Sequence, residues 1–254
     1  MIVVVGHTKG GVAKTSLALA LAIRRASQGR DVLLVDADEQ QTASKFAALR
    51  TSLEHEGARY QTAAYTGRAV RDQVRTLAPR FQDTIIDVGG RNTDSLRAAL
   101  MVADRLVVPV PPALFEVWEI ETMDDLVGEA RGMNERLDAI SILSMADHRR
   151  SRNNAEAVSA LQEAKHISYS GVLVHSRVAW QEAQAAGRAV FEMTRQDAKA
   201  PARVMATRPN RRCSAARLAT TTAPSRKWQV TVAETSDTGQ PRASWIACRN
   251  TGGP

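Results

Sequence analysis

Ile2-Val3-Val4-Val5-Gly6-His7-Thr8-Lys9-Gly10-Gly11-Val12-Ala13-Lys14-Thr15-Ser16 is the stretch on which the fold turns. Residues 2–5 are a β-branched run of the kind buried on both faces of a parallel sheet. After Ser16, apolar side chains recur at Leu17, Leu19, Ala20, Leu21 and Ile23. Arg24 and Arg25 follow near the end, suited to a C-terminal helix dipole, so residues 14–28 read as a helix. Between strand and helix lies a glycine-rich turn with two lysines. Glycines let backbone N–H groups face phosphate oxygens, and a helix N-terminus adds partial positive charge. Lys14 is placed to reach the β- and γ-phosphates, and the Thr15 hydroxyl to ligate Mg²⁺. Lys9, Gly10, Gly11, Val12, Ala13, Lys14, Thr15 and Ser16 are the candidate nucleotide-binding set.

The strict pattern G-x-x-x-x-G-K-[ST] is not met, because Thr8 and Ala13 occupy its glycine positions. What stands there is K-G-G-x-x-K-[ST]. At ordinary Lys and Gly usage chance gives that string about once in two thousand chains of this length. Ala13 is read as falling in the first helical turn, where alanine is sterically mild.

Outward from this turn the same alternation continues. Strands are read at 32–35, 84–86, 106–110, 140–143 and 171–174, and helices at 42–54, 67–78, 93–102, 116–134, 153–165 and 177–188. Short apolar runs alternating with amphipathic helices predict an α/β fold, a predominantly parallel twisted sheet with helices on both faces. Ligands bind such sheets at the carboxyl ends of the strands. Carboxylates fall there. Val35-Asp36-Ala37-Asp38-Glu39-Gln40 follows the second strand, and two carboxylates at i and i+2 share one side of an extended segment. A capped strand-to-helix turn is the plainer reading. Ile85-Ile86-Asp87-Val88-Gly89-Gly90 ends the next apolar run. A carboxylate there is costly unless it is paired or binds a cation, which makes Asp87 a candidate.

The chain has 254 residues and a net charge of +7, but the charge is unevenly placed. Residues 199–254 hold ten Lys or Arg against Glu234 and Asp237, a net +8, whereas residues 1–198 sum to −1. Overall basicity therefore does not mark the whole chain as a nucleic-acid binder. Both cysteines, Cys213 and Cys248, lie in the same stretch, so residues 1–198 carry no disulfide or cysteine-ligated cluster. The sequence is organised as a domain over 1–198 and a Pro-, Arg-, Ser- and Thr-rich tail over 199–254, read as irregular or poorly packed, in which only residues 228–232 could pass for a strand. No targeting or membrane-spanning segment is visible, and a reducing bacterial cytoplasm is the expected compartment.

Lys9 to Ser16 resembles the deviant Walker A motif of the ParA/MinD family of P-loop ATPases. The resemblance implies that Lys9 reaches across a dimer interface to the partner's nucleotide, and that Lys9, Lys14 and Asp38 act in ATP hydrolysis. Residues 36–40 resemble the family's D-x-D-x-Q segment, implying that Asp38 orients the attacking water and Asp36 supports the Mg²⁺ shell, with Gln40 in the same switch. Residues 85–90 resemble the Walker B strand, implying Asp87 near Mg²⁺ and Gly89 and Gly90 as a γ-phosphate-sensing switch. Residues 103–112 resemble the family's strand with a proline-containing exit that shapes the dimer face. Residues 176–192 resemble its C-terminal block. The P-loop follows the first strand directly, which fits the small ParA type without an N-terminal helix-turn-helix domain.

The resemblance implies an ATP- and Mg²⁺-dependent homodimer that binds DNA without sequence preference. With a ParB-like centromere-binding partner it would segregate plasmid or chromosomal DNA, associating with the nucleoid when ATP-bound. Candidate DNA contacts are Arg149, Arg150, Arg152, Arg177, Arg188 and the tail, although a single surface arginine reads first as an ordinary solvated charge. The tail is either a DNA-binding extension or one outside the family function, such as a shifted reading frame. Three other functions compete. A MinD-like membrane ATPase needs a terminal amphipathic helix, which Pro209 disfavours over 203–218. A P-loop metabolic ligase shares the fold but not the second lysine. A positioning ATPase for a protein cargo is the third. His7 is read as incidental, Trp118 and Trp180 as packing on helix faces, and Asn153-Asn154 as a base-pocket candidate.

Overall fold

The structure, a computed structural model, describes residues 1–53, 57–90, 93–112, 116–147, 151–193, 228–231 and 247–250. Seven strands form one sheet: β1 (Ile2–Val5), β2 (Val32–Ala37), β3 (Gln61–Ala64), β4 (Asp83–Val88), β5 (Arg105–Val110), β6 (Asp138–Ala146) and β7 (Ser168–His175). Their spatial order is β3-β2-β4-β1-β5-β6-β7, and every neighbouring pair is parallel. The chain moves outward to one side of β1 through β2 and β3, returns to β4, and then crosses to β5 on the other side. That reversal places the switch point, where such sheets bind ligands, at the carboxyl end of β1.

Alternation along each strand sorts the core into two layers. Val3, Val5, Leu34, Ile85 and Val107 face helices α1 (Lys14–Ser27) and α2 (Thr42–Ser52), meeting Leu17, Leu21, Ile23 and Phe46. Val4, Val35, Ile86, Leu106 and Val108 face the opposite layer of α3 (Ala69–Leu77), α4 (Thr93–Leu100), α5 (Glu116–Arg131) and α6 (Arg152–Glu163). Ala179 and Ala183 of helix α7 (Val178–Ala185) form a smaller cluster with Val190 of the turn that follows. Because both faces are covered, the inner strands carry unbroken apolar runs, and this made them readable.

Strand β3 was not anticipated. It reads Gln-Thr-Ala-Ala, its burial is slight, and only β2 pairs with it, so neither an apolar run nor alternation marks it. Strands β6 and β7 exceed the expected spans, because added residues such as Asp138, Ser144, Ser168 and Ser170 interrupt the apolar runs. In the tail, Trp228–Thr231 (β8) pairs antiparallel with Ala247–Asn250 (β9), a pairing not foreseen in a stretch read as irregular.

Candidate functional site

The loop from Gly6 to Ala13 joins β1 to α1 at the switch point. Two residues in it turn left-handed, Gly11 at φ 77° and Ala13 at φ 69°. Ala13 is the residue before the helix and not part of its first turn, so the sequence expectation needs correcting. A left-handed alanine costs about 1–2 kcal/mol. Lys14 is buried, and its ammonium donates to the Lys9 carbonyl, folding the side chain back over the loop. Burial lowers its pKa below the ordinary lysine value, against Asp87 and Asp38, which raise it.

His7 is not incidental. It is fully buried, and its Nδ1 accepts the Lys9 amide at 3.0 Å, which puts the neutral ring's proton on Nε2. Burial, then the charges of Lys14 and Lys9, lower its pKa to about 4. The ring is therefore neutral at pH 7 and holds the loop in shape. Thr8 donates to Glu119 at 3.1 Å, tying the same loop to α5.

Asp36 and Asp87 are register partners on adjacent strands, and both are sealed from solvent. The Asp36 carboxylate is occupied by backbone. Its Oδ1 accepts the Asp38 amide at 3.2 Å, and its Oδ2 accepts the Ser44 amide in the first turn of α2 at 2.7 Å. Neither Asp87 oxygen has a hydrogen bond of ordinary geometry. Burial pushes the Asp87 carboxyl up to about 7, with Asp36 and Asp38 adding to the rise and Thr15 and Lys14 opposing it. An orphaned buried carboxylate beside a hydroxyl is a hard oxygen donor set that suits Mg²⁺. Among the described residues no three His, Cys, Asp or Glu side chains cluster as a metal cage. Mg²⁺ does not need one, since it takes one or two protein oxygens plus phosphate and water.

The exit of β4 presses on the loop. A Cβ on Gly90 would overlap the Lys9 carbonyl and the Gly10 amide nitrogen, and one on Gly89 would lie 2.8 Å from the Asp38 carboxylate carbon. These glycines provide close approach, so the β4 exit, the P-loop and the Asp38 turn are in mutual contact. Asp38 Oδ1 accepts the Gln40 amide at 3.0 Å, and the Gln40 side chain is exposed.

A cavity of about 380 Å³ opens on the loop. One wall is Gly10, Gly11, Ala13, Lys14, Thr15 and Ser16, with Asp38 and Gly90 beside them. The other wall comes from the β6 and β7 exits and from α7, through Met145, His175, Arg177, Trp180 and Gln184. Met145 has φ 50° and sits where the β6–β7 register shifts, a bulge of the kind that re-aims a side chain. Sequence reasoning missed this wall. The available signal was position, since these residues follow the carboxyl ends of two strands.

The family model for the CobQ/CobB/MinD/ParA nucleotide-binding domain matches residues 2–190. The chain belongs to this family, the ParA/MinD-type P-loop ATPases. A curated relative, the maintenance of carboxysome distribution protein A of Gloeobacter kilaueensis, is 35% identical over 123 residues, covering 44% of this chain and 50% of that protein. The chain thus spans about half the length of the curated relative it matches. Apo McdA of Cyanothece superposes with a TM-score of 0.61 at 18% identity, over 75% of this chain and 92% of that one. A plasmid partition protein of Borrelia burgdorferi B31 bound to AMPPNP gives 0.58 at 16%, over 76% and 94%.

Within this ParA/MinD-type domain the other candidates separate. Arg177, expected as a DNA contact, lines the cavity. Arg188 is half-buried in the turn after α7. Arg152 is exposed and paired with Glu156 at 2.6 Å. Arg149 and Arg150 lie outside the described residues. Asn154 is buried, and its side-chain amide binds both backbone groups of Asp147, at 3.3 and 3.2 Å. Trp180 packs on the core and lines the cavity as well. Trp118 has no described side chain. No described helix is long and apolar enough to cross a membrane.

Proposed function

We propose that this chain is an ATP-driven positioning ATPase. It would close as a homodimer on ATP and Mg²⁺, bind DNA non-specifically, and move a cargo with a partner protein. The observation that carries this is the pair Lys9 and Lys14 flanking Gly10-Gly11, with Gly90 packed on the same backbone. Lys14 and the loop amides hold the phosphates. Thr15 and Asp87 hold Mg²⁺, with Asp36 fixing the neighbouring turn, and Mg²⁺ supplies charge neutralisation on the phosphate oxygens. Asp38, packed against Gly89, would orient the attacking water. Lys9 completes the partner's site. A γ-phosphate would be felt through Gly89 and Gly90, and closure follows from preferring that state.

The cargo is plasmid or chromosomal DNA held by a ParB-like protein. A second reading, a protein body as cargo, is favoured by the similarity to a carboxysome-distribution protein. A nucleoid-bound, partner-stimulated cycle serves both. Sedimentation velocity with ATP, ADP and a DNA duplex tests the proposal. The expected result is an ATP-only dimer that binds DNA, with Lys9→Ala remaining monomeric while still binding nucleotide. A Lys9→Ala protein that dimerises and hydrolyses normally would refute the shared site.

A further inference from the structure

Gln184 reaches across the cavity from α7, and its Nε2 donates to the Ser16 hydroxyl oxygen at 2.7 Å. Both residues line the cavity. Ser16 is the third residue of α1, at the helix end whose amides face the phosphate seat. A serine hydroxyl has one proton to give and lone pairs to receive. When Gln184 occupies a lone pair, the Ser16 proton is left to be donated elsewhere, and the open side is the cavity.

The placement of Gln184 is itself anchored. The turn after α7 closes through Gly187 N to Gln184 O at 3.0 Å, with Gly187 at φ 64°. Arg50 of α2 then grips that turn, donating to the Gly187 carbonyl at 2.9 Å and to both oxygens of Glu192 at 2.8 and 2.6 Å. Arg50 is buried and Glu192 is partly exposed, so the clamp is only partly open to water. An ion pair with two parallel hydrogen bonds fixes geometry as well as energy.

We infer that Gln184 is a positioning residue for nucleotide binding: it holds the Ser16 hydroxyl with its proton aimed into the cavity, as a donor to a phosphate oxygen. This rests on the P-loop reading of the site and extends it to a residue on α7. It acts through Ser16 and touches no reacting atom.

The test is a double-mutant cycle on the full chain, reading the dissociation constant for fluorescently labelled ADP with Mg²⁺. Gln184→Ala should weaken ADP by about fivefold, the value of one neutral hydrogen bond. In the Ser16→Ala background the same change should add nothing. Gln184→Glu should weaken ADP by at least about thirtyfold. Its carboxylate would accept the Ser16 O–H in a hydrogen bond, turning it from the cavity, and set a negative charge near the phosphates. Circular dichroism and the unfolding midpoint of the nucleotide-free variants report on folding. An equal loss from Gln184→Ala with and without Ser16 would mean that Gln184 merely docks α7, and would overturn the inference. So would unchanged ADP binding in Gln184→Ala. Failure of the unaltered chain to bind ADP would strike instead at the P-loop reading.

Discussion

Asp83 and Asp87 lie four residues apart on β4, on the same face and both sealed from solvent, yet their surroundings are opposite. At the amino end of the strand, Asp83 accepts Arg25 Nε at 2.7 Å and Arg30 Nε at 2.5 Å, with the chain's amino terminus 3.8 Å away. Burial pushes its pKa up, but the two arginine hydrogen bonds and charges prevail and leave it below the ordinary carboxylate value. At the carboxyl end, Asp87 has no such partner and is pushed up to about 7. One helix serves both, since Arg25 lies in the last turn of α1 while Lys14 and Thr15 begin it. The Asp83 end is satisfied and structural. The Asp87 oxygens are left without a hydrogen bond of ordinary geometry, which the proposed Mg²⁺ role would use.

The contrast can be broken most forcefully at Asp83. Asp83→Asn removes the carboxylate charge that Arg25 and Arg30 share and should destabilise the fold by about 3–5 kcal/mol in urea titrations at pH 7. Because the folded pKa is lowered, the contribution is present above the unfolded carboxyl value. It is lost as pH falls through the folded pKa, so variant and parent should converge in acid. At the other end of the strand, Lys14→Ala should leave the urea midpoint near the parent value and reduce ATP turnover by about 10²–10³-fold.

Asp87→Asn gives the mirror image of Asp83→Asn. It should remove Mg²⁺-dependent turnover and stabilise the nucleotide-free fold by on the order of a few kcal/mol above pH 7. The folded pKa is raised, so this gain should grow from about pH 4 to pH 7 and then level off. A gain that persists unchanged at pH 4 would show that burial of charge is not its cause.

Two smaller changes sharpen the picture within the loop. Gly90→Ala should cost about 1–3 kcal/mol by overpacking against the Lys9 and Gly10 backbone, and should weaken ADP binding. Ala13→Gly should stabilise by roughly 0.5–1 kcal/mol, as relief of the left-handed alanine outweighs the added freedom of the unfolded chain. Thermal unfolding of the nucleotide-free protein reads both.

The layered fold was legible because its inner strands are β-branched and buried on both sides. Val32 to Val35 and Leu106 to Val108 could be read without any partner in view. Strand β3 could not be, because Gln61, Thr62 and Ala64 sit at an exposed edge where no hydrophobic pattern is required. The P-loop, Asp36, Asp38, Asp87, Gly89 and Gly90 were legible as local motifs. The facing wall was not, because Met145, Arg177 and Gln184 are ordinary residues whose relevance comes only from where β6, β7 and α7 end.

The sequence by itself determined the strand-loop-helix cradle, the order of the carboxylates and the parallel character of the sheet, since each follows from spacing within a short segment. Tertiary structure alone decided which buried aspartate is neutralised and which is left open. It also decided that His7 braces the loop, that Ala13 is left-handed, and that Gln184 meets Ser16 across 168 residues of chain. Hydrogen bonding and desolvation depend on what lies within a few ångströms in space, and local sequence does not encode that distance.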